Sequence, residues 1–432
     1  LTPAKSNFRI VANDAAVPLG RIRATHDGDK MPGKLEGIRV IDLSRVLAGP
    51  LAGQMLADLG AEVIKIEHPG DGDESRRYGP PFHGDETAGG TAFFLAANRN
   101  KKSVTIDFAT PEGQRLVTEL AGGADVVIEN FRVGTLARYG LDYDSLAARN
   151  AGLVYCSITG FGQTGPYAMR PGYDAIFQSM GGLMSSIGYP DDHPAGGPMR
   201  TGLSITDVIT SLYADVAIVS ALHARSSNGG RGEHIDIALL DSTVAAMSHY
   251  AMYYLISGQV PPRRGNAGNG GVPSQVFACR EGALMLTVGN DAQFARLCGA
   301  LDRPELATDP RFATGVERIR HRQTLLPMLE AVFAIRDAAH WLAALERAEI
   351  PSGAINDMAQ VFADPQVSAR GLRQTGREGA PDLVANPIRF RHDPIARPAA
   401  PPALGADTDA VLRGHLGLDG DAIARLRERS VV

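Results

Sequence analysis

The feature that most constrains this chain is the regular alternation of short apolar runs with helical stretches through its first half. Ile38-Arg-Val-Ile-Asp-Leu43 has the length and β-branched content of a buried strand. Pro50 to Leu59 follows, with Leu51, Met55, Leu56 and Leu59 spaced for one helix face. Glu62-Val-Ile-Lys-Ile-Glu67, Ser103-Val-Thr-Ile-Asp107, Asp125-Val-Val-Ile-Glu129 and Leu153-Val-Tyr-Cys-Ser157 repeat the strand pattern, and helices are expected at Pro111 to Leu120 and Tyr143 to Arg149. Strands separated by helices build a parallel, Rossmann-like sheet rather than hairpins. No G-x-G-x-x-G follows the first run, so nothing there supports a dinucleotide site.

The pattern then changes. An apolar helix is expected from Asp207 to Ala224, stopped by Ser226-Ser-Asn-Gly-Gly, and a second over Ala238 to Ile256. Glycine-dense Pro261 to Pro273 reads as a loop. Ala283-Leu-Met-Leu-Thr-Val288 reads as a strand, with helices at Gln293 to Leu301 and Gln323 to Phe333, which suggests a smaller α+β domain in the middle of the chain. Ala396 to Leu404 is proline-rich and extended. Residues 1–34 are read as an N-terminal extension, native or added, because the first convincing element begins after Met31. A chain of 432 residues itself favours two domains.

Composition removes several function classes. Net charge is −5 with dispersed Lys and Arg, which argues against a nucleic-acid face. No apolar run approaches the roughly 20 residues of a membrane span, and the first residues lack the apolar stretch of a signal peptide. Cys156, Cys279 and Cys298 are far apart, so neither a disulfide framework nor a zinc site is expected, and the setting is read as cytoplasmic. His234, His321 and His340 show no metal-ligand spacing either.

Four features carry potential chemistry. Asp207 opens an apolar helix, where an aspartate is an ordinary N-cap; the same helix N-terminus also favours an ionised carboxylate that can act as a nucleophile. Arg264-Gly-Asn-Ala-Gly-Asn-Gly-Gly-Val272 is either a surface connection or a mobile lid whose N–H groups approach a ligand. Arg45, Lys65, Arg99, Lys101, Lys102 and Arg138 lie near element ends; singly they are solvated surface charges, and together they would meet phosphates at the carboxyl edge of the sheet. Asp174, in Arg170-Pro-Gly-Tyr-Asp174, either closes a turn or serves as a further catalytic carboxylate.

With these motifs in place the sequence resembles the class III CoA-transferases, the CaiB/BaiF family that also contains α-methylacyl-CoA racemases. The landmarks are Leu35-Glu-Gly-Ile-Arg-Val-Ile-Asp-Leu, Arg45-Val-Leu-Ala-Gly-Pro50, Asn98-Arg-Asn-Lys-Lys-Ser103, Glu129-Asn-Phe131, Tyr155-Cys-Ser-Ile-Thr-Gly-Phe-Gly-Gln-Thr-Gly-Pro166 and Gly230-Arg-Gly232. The resemblance implies a Rossmann-like large domain built from 35–240 and 346–432, a linker and small domain over 241–345, and a ring-shaped chain interlocked with its partner in a homodimer. It implies acyl-CoA and small carboxylic acids as substrates, with CoA carried as a co-substrate and no permanently bound cofactor. It places the nucleophile on Asp207, a covering lid on Gly268, Gly270 and Gly271, and CoA contacts on Val46, Leu47, Ala48, His68, Ile106, Asn130, Phe131 and Arg138. Tyr173 and Asp174 would orient substrate.

Two positions depart from formyl-CoA transferase: Leu47 stands for a glutamine and His68 for an arginine. The racemase branch has a histidine where Tyr173 stands here, and a phenol with a reference pKa of about 10 is a weak base at neutral pH. The branch that pairs succinyl-CoA with dicarboxylic acids fits the segments around Asp174 and Asp207. A CoA-binding homologue without catalysis is the alternative from another class, and the intact Asp207 argues against it.

Overall fold

The computed structural model describes residues 33–84, 90–268, 270–376 and 379–432. Nearly all of the expected N-terminal extension, and Asn269 of the glycine loop, lie outside the described residues.

In chain order the first half runs β1 (Arg39–Asp42), α1 (Ala48–Asp58), β2 (Glu62–Glu67), α2 (Ala92–Ala97), β3 (Lys102–Thr105), α3 (Pro111–Gly122), β4 (Val126–Glu129), α4 (Tyr143–Ala147) and β5 (Val154–Thr159). Next come α5 (Asp174–Met180), α6 (Leu183–Ser186), α7 (Ile205–Arg225), β6 (Glu233–Ala238), α8 (Leu239–Ala246) and α9 (Ser248–Ser257). β1 to β6 form one parallel sheet in the order β3-β2-β1-β4-β5-β6. The order reverses between β1 and β4, and that switch point is where such sheets open a crevice at their carboxyl ends.

Strand alternation explains why the sheet is covered on both faces. Val40, Val63, Val126 and Val154 are in register and point into one core with Leu56 of α1 and Ala214 and Ile218 of α7. Their neighbours Ile41, Ile64, Val127 and Tyr155 point to the opposite core with Leu116 and Leu120 of α3. That second core also takes Val411, Leu412 and Ile423 from the C-terminal segment. Side chains of the two stripes are almost all fully buried, each worth roughly 1.5–3 kcal/mol against exposure.

Two expectations need correction. Residues 233–238 are a strand, so the helix expected from Ala238 starts only at Leu239, and it is split in two at Ser248, whose φ is 43°. The strand signal was the alternation of Ile235 and Ile237 after Gly232. α7 is, by length and composition, apolar enough to cross a membrane, although its sequence holds no uninterrupted apolar run of that length; here it packs against α1, β5, β6 and α8. It also starts at Ile205 with Ser204 in the cap position, so Asp207 is not the N-cap.

The middle of the chain contains β7 (Ser274–Ala278), β8 (Ala283–Thr287), α10 (Asp291–Ala300), α11 (Glu305–Thr308), α12 (Gly315–Arg320), α13 (Arg322–Phe333), α14 (Ala338–Arg347) and β9 (Ser352–Ala354). β7-β8-β9 is an antiparallel sheet over a separate core that includes Phe277, Leu286, Phe294, Leu329 and Trp341. Its third strand lies past the boundary at 345 that the sequence suggests. α15 (Met358–Ala363), α16 (Pro365–Ala369), the two-residue strands β10 (Arg373–Gln374) and β11 (Leu383–Val384), α17 (Thr408–Leu416) and α18 (Gly420–Glu428) complete the chain. The C-terminal residues return to the large sheet: Asp407 N–H donates to Ser103 O at 2.9 Å and Asp107 N–H to Val431 O at 2.8 Å.

Candidate functional site

Two clusters stand out, one at the switch point and one at the start of α7. At the first, the chain leaves β1 through Ser44-Arg45-Val46 and enters α1 directly. Helix and turn are in close contact: a Cβ on Gly49 would lie 2.3 Å from Ser44 Cβ, so only glycine fits there. Val46 takes a φ of 70°, an outlier for a β-branched residue. Across the switch point, Asn130 at the end of β4 grips Arg45 from both sides, accepting from its N–H at 2.8 Å and donating to its carbonyl at 2.7 Å. The Arg45 guanidinium lies 4.7 Å from the centre of the Phe131 ring, and that ring packs edge-on to Phe108. Arg138 lies in the exposed turn that follows.

The structure therefore brings Val46, Leu47, Ala48, Asn130, Phe131 and Arg138 to one sheet edge. His68 is exposed just past β2. Ile106 follows β3 with its side chain buried in the core and its N–H donating to Glu67 O at 2.9 Å.

The expected basic edge is mostly internal. Lys65 and Lys101 are fully buried, paired with Asp73 at 2.9 Å and Asp42 at 2.8 Å, and Arg99 is buried on Asp58. Lys102 pairs with Glu62 at 2.6 Å. The three buried cations hold the fold, which leaves Arg45, Lys102 and Arg138 as the members that reach solvent.

Beneath the Asn130–Phe131 turn, Glu129 accepts from Phe131 N–H at 2.8 Å. Burial, outweighing the Ser157 hydroxyl and Phe131 amide that donate to it, pushes its carboxyl up to about 7. Ser157 Oγ lies 3.1 Å from His234 Nε2, and with Tyr143 these residues border a cavity of about 50 Å³. In the sequence Glu129 stands out only as a family landmark; its charge after three apolar strand residues was the available signal.

The second cluster answers what Asp174 does. α7 begins without a side-chain cap of its own. Asp174, at the start of α5, supplies one instead: its Oδ1 accepts from Thr206 N–H at 2.9 Å and from the Thr206 hydroxyl, while its Oδ2 accepts from Gln178 Nε2 at 2.5 Å. Gln178 is itself fixed, donating to Leu203 O at 3.1 Å and accepting from Thr201 N–H at 2.9 Å. Asp207 follows Thr206 as the third helical residue. Burial first, then the nearby Asp174 charge, pushes the Asp207 carboxyl from its ordinary 3.8 up to about 7. The helix dipole opposes this, and the balance leaves a carboxylate poised between its two forms near neutral pH.

Tyr78 lies between the two clusters. Its hydroxyl donates to Glu74 at 3.1 Å, and Glu74 pairs with Arg45 at 3.8 Å. Burial, then Glu74, with a smaller effect of Tyr173, pushes the Tyr78 phenol up to about 12. Tyr173 itself is 70% exposed. Of the glycines expected to form a lid, Gly268 N–H donates to Ser274 O at 2.8 Å, and Gly271 packs against Val288 after β8.

Fold and site together define a doubly wound α/β protein with a tightly gripped turn at its switch point and a carboxylate held at a helix start. The model of the CoA-transferase family III matches residues 35–408, and the chain belongs to that family. It is an enzyme, a CoA-transferase. The succinate–glutarate CoA-transferase of Agrobacterium fabrum is 47% identical over 386 residues, covering 88% of this chain and 94% of the relative. The human succinyl-CoA:glutarate CoA-transferase is 40% identical, covering 92% of this chain and 90% of its own. Among solved structures, a CaiB/BaiF family protein from Brucella suis matches with a TM-score of 0.80 and 44% identity, over 89% of this chain and all of that one.

Proposed function

We propose that this enzyme moves CoA from succinyl-CoA to a free dicarboxylic acid of the glutarate type, with Asp207 as the nucleophile. The observation that carries the reading is the held carboxylate: Asp207 is raised to about 7 in the first turn of a helix that Asp174 caps. The names of the relatives favour the succinyl and glutaryl pair.

The chemistry follows from a lone carboxylate. Asp207 attacks the thioester carbonyl, the carbon–sulfur bond breaks, and a mixed anhydride forms with CoA thiolate released. The thiolate attacks the Asp207 carbonyl, forming an aspartyl-CoA thioester and releasing the first acid as its carboxylate. The acceptor carboxylate then attacks this thioester, regenerating the thiolate and a second anhydride. Finally the thiolate takes the new acyl group and Asp207 leaves as carboxylate. Each step exchanges one activated acyl bond for another, which is the gain of covalent catalysis. The Val46-Leu47-Ala48 turn, Asn130, Phe131 and Arg138 hold CoA, with His68 and the backbone at Ile106 at its margin. Gly268, Gly270 and Gly271 cover the intermediates against water.

A homodimer with the chains interlocked is part of this reading, as is the division into a large domain from both chain ends and a small middle domain. α7 and α9 present apolar side chains a monomer would leave wet: Val216, Leu255 and Ile256 are 66%, 72% and 79% exposed. Burial of such side chains favours association.

The test incubates the enzyme with succinyl-CoA and a panel of free acids and follows new CoA esters by mass spectrometry, alongside Asp207→Ala and an α-methylacyl-CoA. New thioesters that vanish in the variant support the reading. Exchange of the α-proton with no new thioester would replace it with the racemase, and CoA binding without either reaction with the non-catalytic homologue.

A further inference from the structure

The turn from Ser44 to Val46 has an unusual property: its backbone polar groups are held by side chains from outside the turn or from the strand before it. Ser44 N–H donates to Asp42 Oδ1 at 2.9 Å, and Ser44 O accepts from Lys65 Nζ at 2.8 Å. Asn130 takes both groups of Arg45. Val46 N–H donates to Asp73, 3.2 Å from each carboxylate oxygen. Lys65 and Asp73 meet each other at 2.9 Å with no exposed side-chain surface. They reach the turn from two sides, one gripping a carbonyl and the other the N–H two residues on.

Asp73 is fixed in turn. It accepts from Ser75 N–H at 2.9 Å and from Ser75 Oγ at 2.8 Å, and its own N–H donates to Glu67 at 3.0 Å. Glu67 is locked to Arg76 by two hydrogen bonds of 2.7 Å.

We infer that Lys65 and Asp73 are positioning residues for CoA: as a buried pair they hold Val46 in its left-handed conformation and so set the shape of the turn that receives the thioester's carrier. A fully buried ion pair is a poor device for stability alone, because desolvation offsets most of its attraction. It is a good device for fixing geometry. Val46 gives it something to do, since a β-branched residue at a φ of 70° relaxes unless its surroundings prevent it. The inference rests on the proposed placement of CoA at this turn and goes beyond it by naming residues that touch no substrate.

The experiment is a cycle of Asp73→Asn, Val46→Gly and both, assayed with succinyl-CoA and glutarate and melted in parallel. Asp73→Asn is expected to raise KM for succinyl-CoA about tenfold, the scale of the left-handed penalty for a residue with a Cβ, while kcat and the glutarate KM stay within about twofold. Glycine carries no such penalty. In the Val46→Gly background the same substitution should therefore raise KM by less than about threefold. An equal KM rise in both backgrounds, or a fall in melting temperature with KM unchanged, overturns the inference. If Asp73→Asn does not fold, Lys65→Met combined with Asp73→Leu removes both charges together and enters the same cycle. Wild-type enzyme that consumes no succinyl-CoA would sink the transferase reading itself. Turnover with an unchanged KM in Arg138→Ala would remove CoA from this edge, and the inference with it.

Discussion

Neutralising Asp174 tests whether the environment of Asp207 sets its reactivity. Asp207 rises from an ordinary 3.8 to about 7, with burial the larger cause and Asp174 the second. Asp174 therefore supplies less than half of the rise, so at most about 1.5 pH units, or about 2 kcal/mol at 1.36 kcal/mol per unit. The nucleophile must be ionised, so kcat/KM should climb with pH through about 7 and fall tenfold per unit below it. In Asp174→Asn the acid limb should move down by about one unit. The amide oxygen still accepts from Thr206, while Gln178 loses an acceptor at a cost of about 1 kcal/mol. The assay is the pH profile of kcat/KM for succinyl-CoA from pH 5 to 9, with wild type and variant side by side. An acid limb that stays in place, or moves upward, refutes the electrostatic argument. Asp174→Ala provides a contrast, because it also removes the cap of α7 and should lower stability by a further ~1 kcal/mol.

Two more perturbations follow from buried groups. Both carboxylate oxygens of Asp215 on α7 are buried without a hydrogen-bond partner among the described residues, and burial, then Asp58, pushes this carboxyl up to about 8. The folded state thus binds a proton that the unfolded state releases near 3.9, and stability falls as pH rises from there to about 8. Asp215→Asn should remove that loss, gaining at most about 5 kcal/mol at pH 9 and little at pH 4, read from urea midpoints. Arg318, 2% exposed, donates to Val272 O at 2.8 Å and Phe312 O at 3.0 Å and pairs with Asp291 at 2.9 Å. Arg318→Met should destabilise the small-sheet core by about 3 kcal/mol through two stranded carbonyls, and hydrogen exchange should rise at Val272 beside the glycine loop.

The large sheet was legible because its strands are short, β-branched and separated by helices, so periodicity alone located β1 to β5. β6 escaped because only Ile235 and Ile237 mark its alternation, too short a pattern to stand out before the apolar run of α8. The small sheet was legible only in part: β8 is a clean apolar run, whereas β7 and β9 carry Ser274, Gln275, Ser352 and Gly353. For the site, sequence could nominate Asp207 but not its environment. The cap on α7 comes from Asp174, and the grip on Val46 comes from Asp73; these are contacts between residues 32 and 27 positions apart. Lys65 and Lys101 look like phosphate ligands in the sequence because nothing in a local window reveals that Asp73 and Asp42 bury them.

The central claim is that Asp207 forms covalent bonds in every cycle. The most direct measurement is turnover of succinyl-CoA with glutarate labelled by oxygen-18 in its carboxylates, followed by peptide mass spectrometry. In the proposed sequence the bridging oxygen of the second anhydride comes from the acceptor and stays on Asp207 when the acyl group departs. The peptide carrying Asp207 should gain label, by about 2 Da for each carboxylate oxygen replaced, and no other peptide should. Glutaryl-CoA formed at full rate with an unlabelled Asp207 would contradict the account.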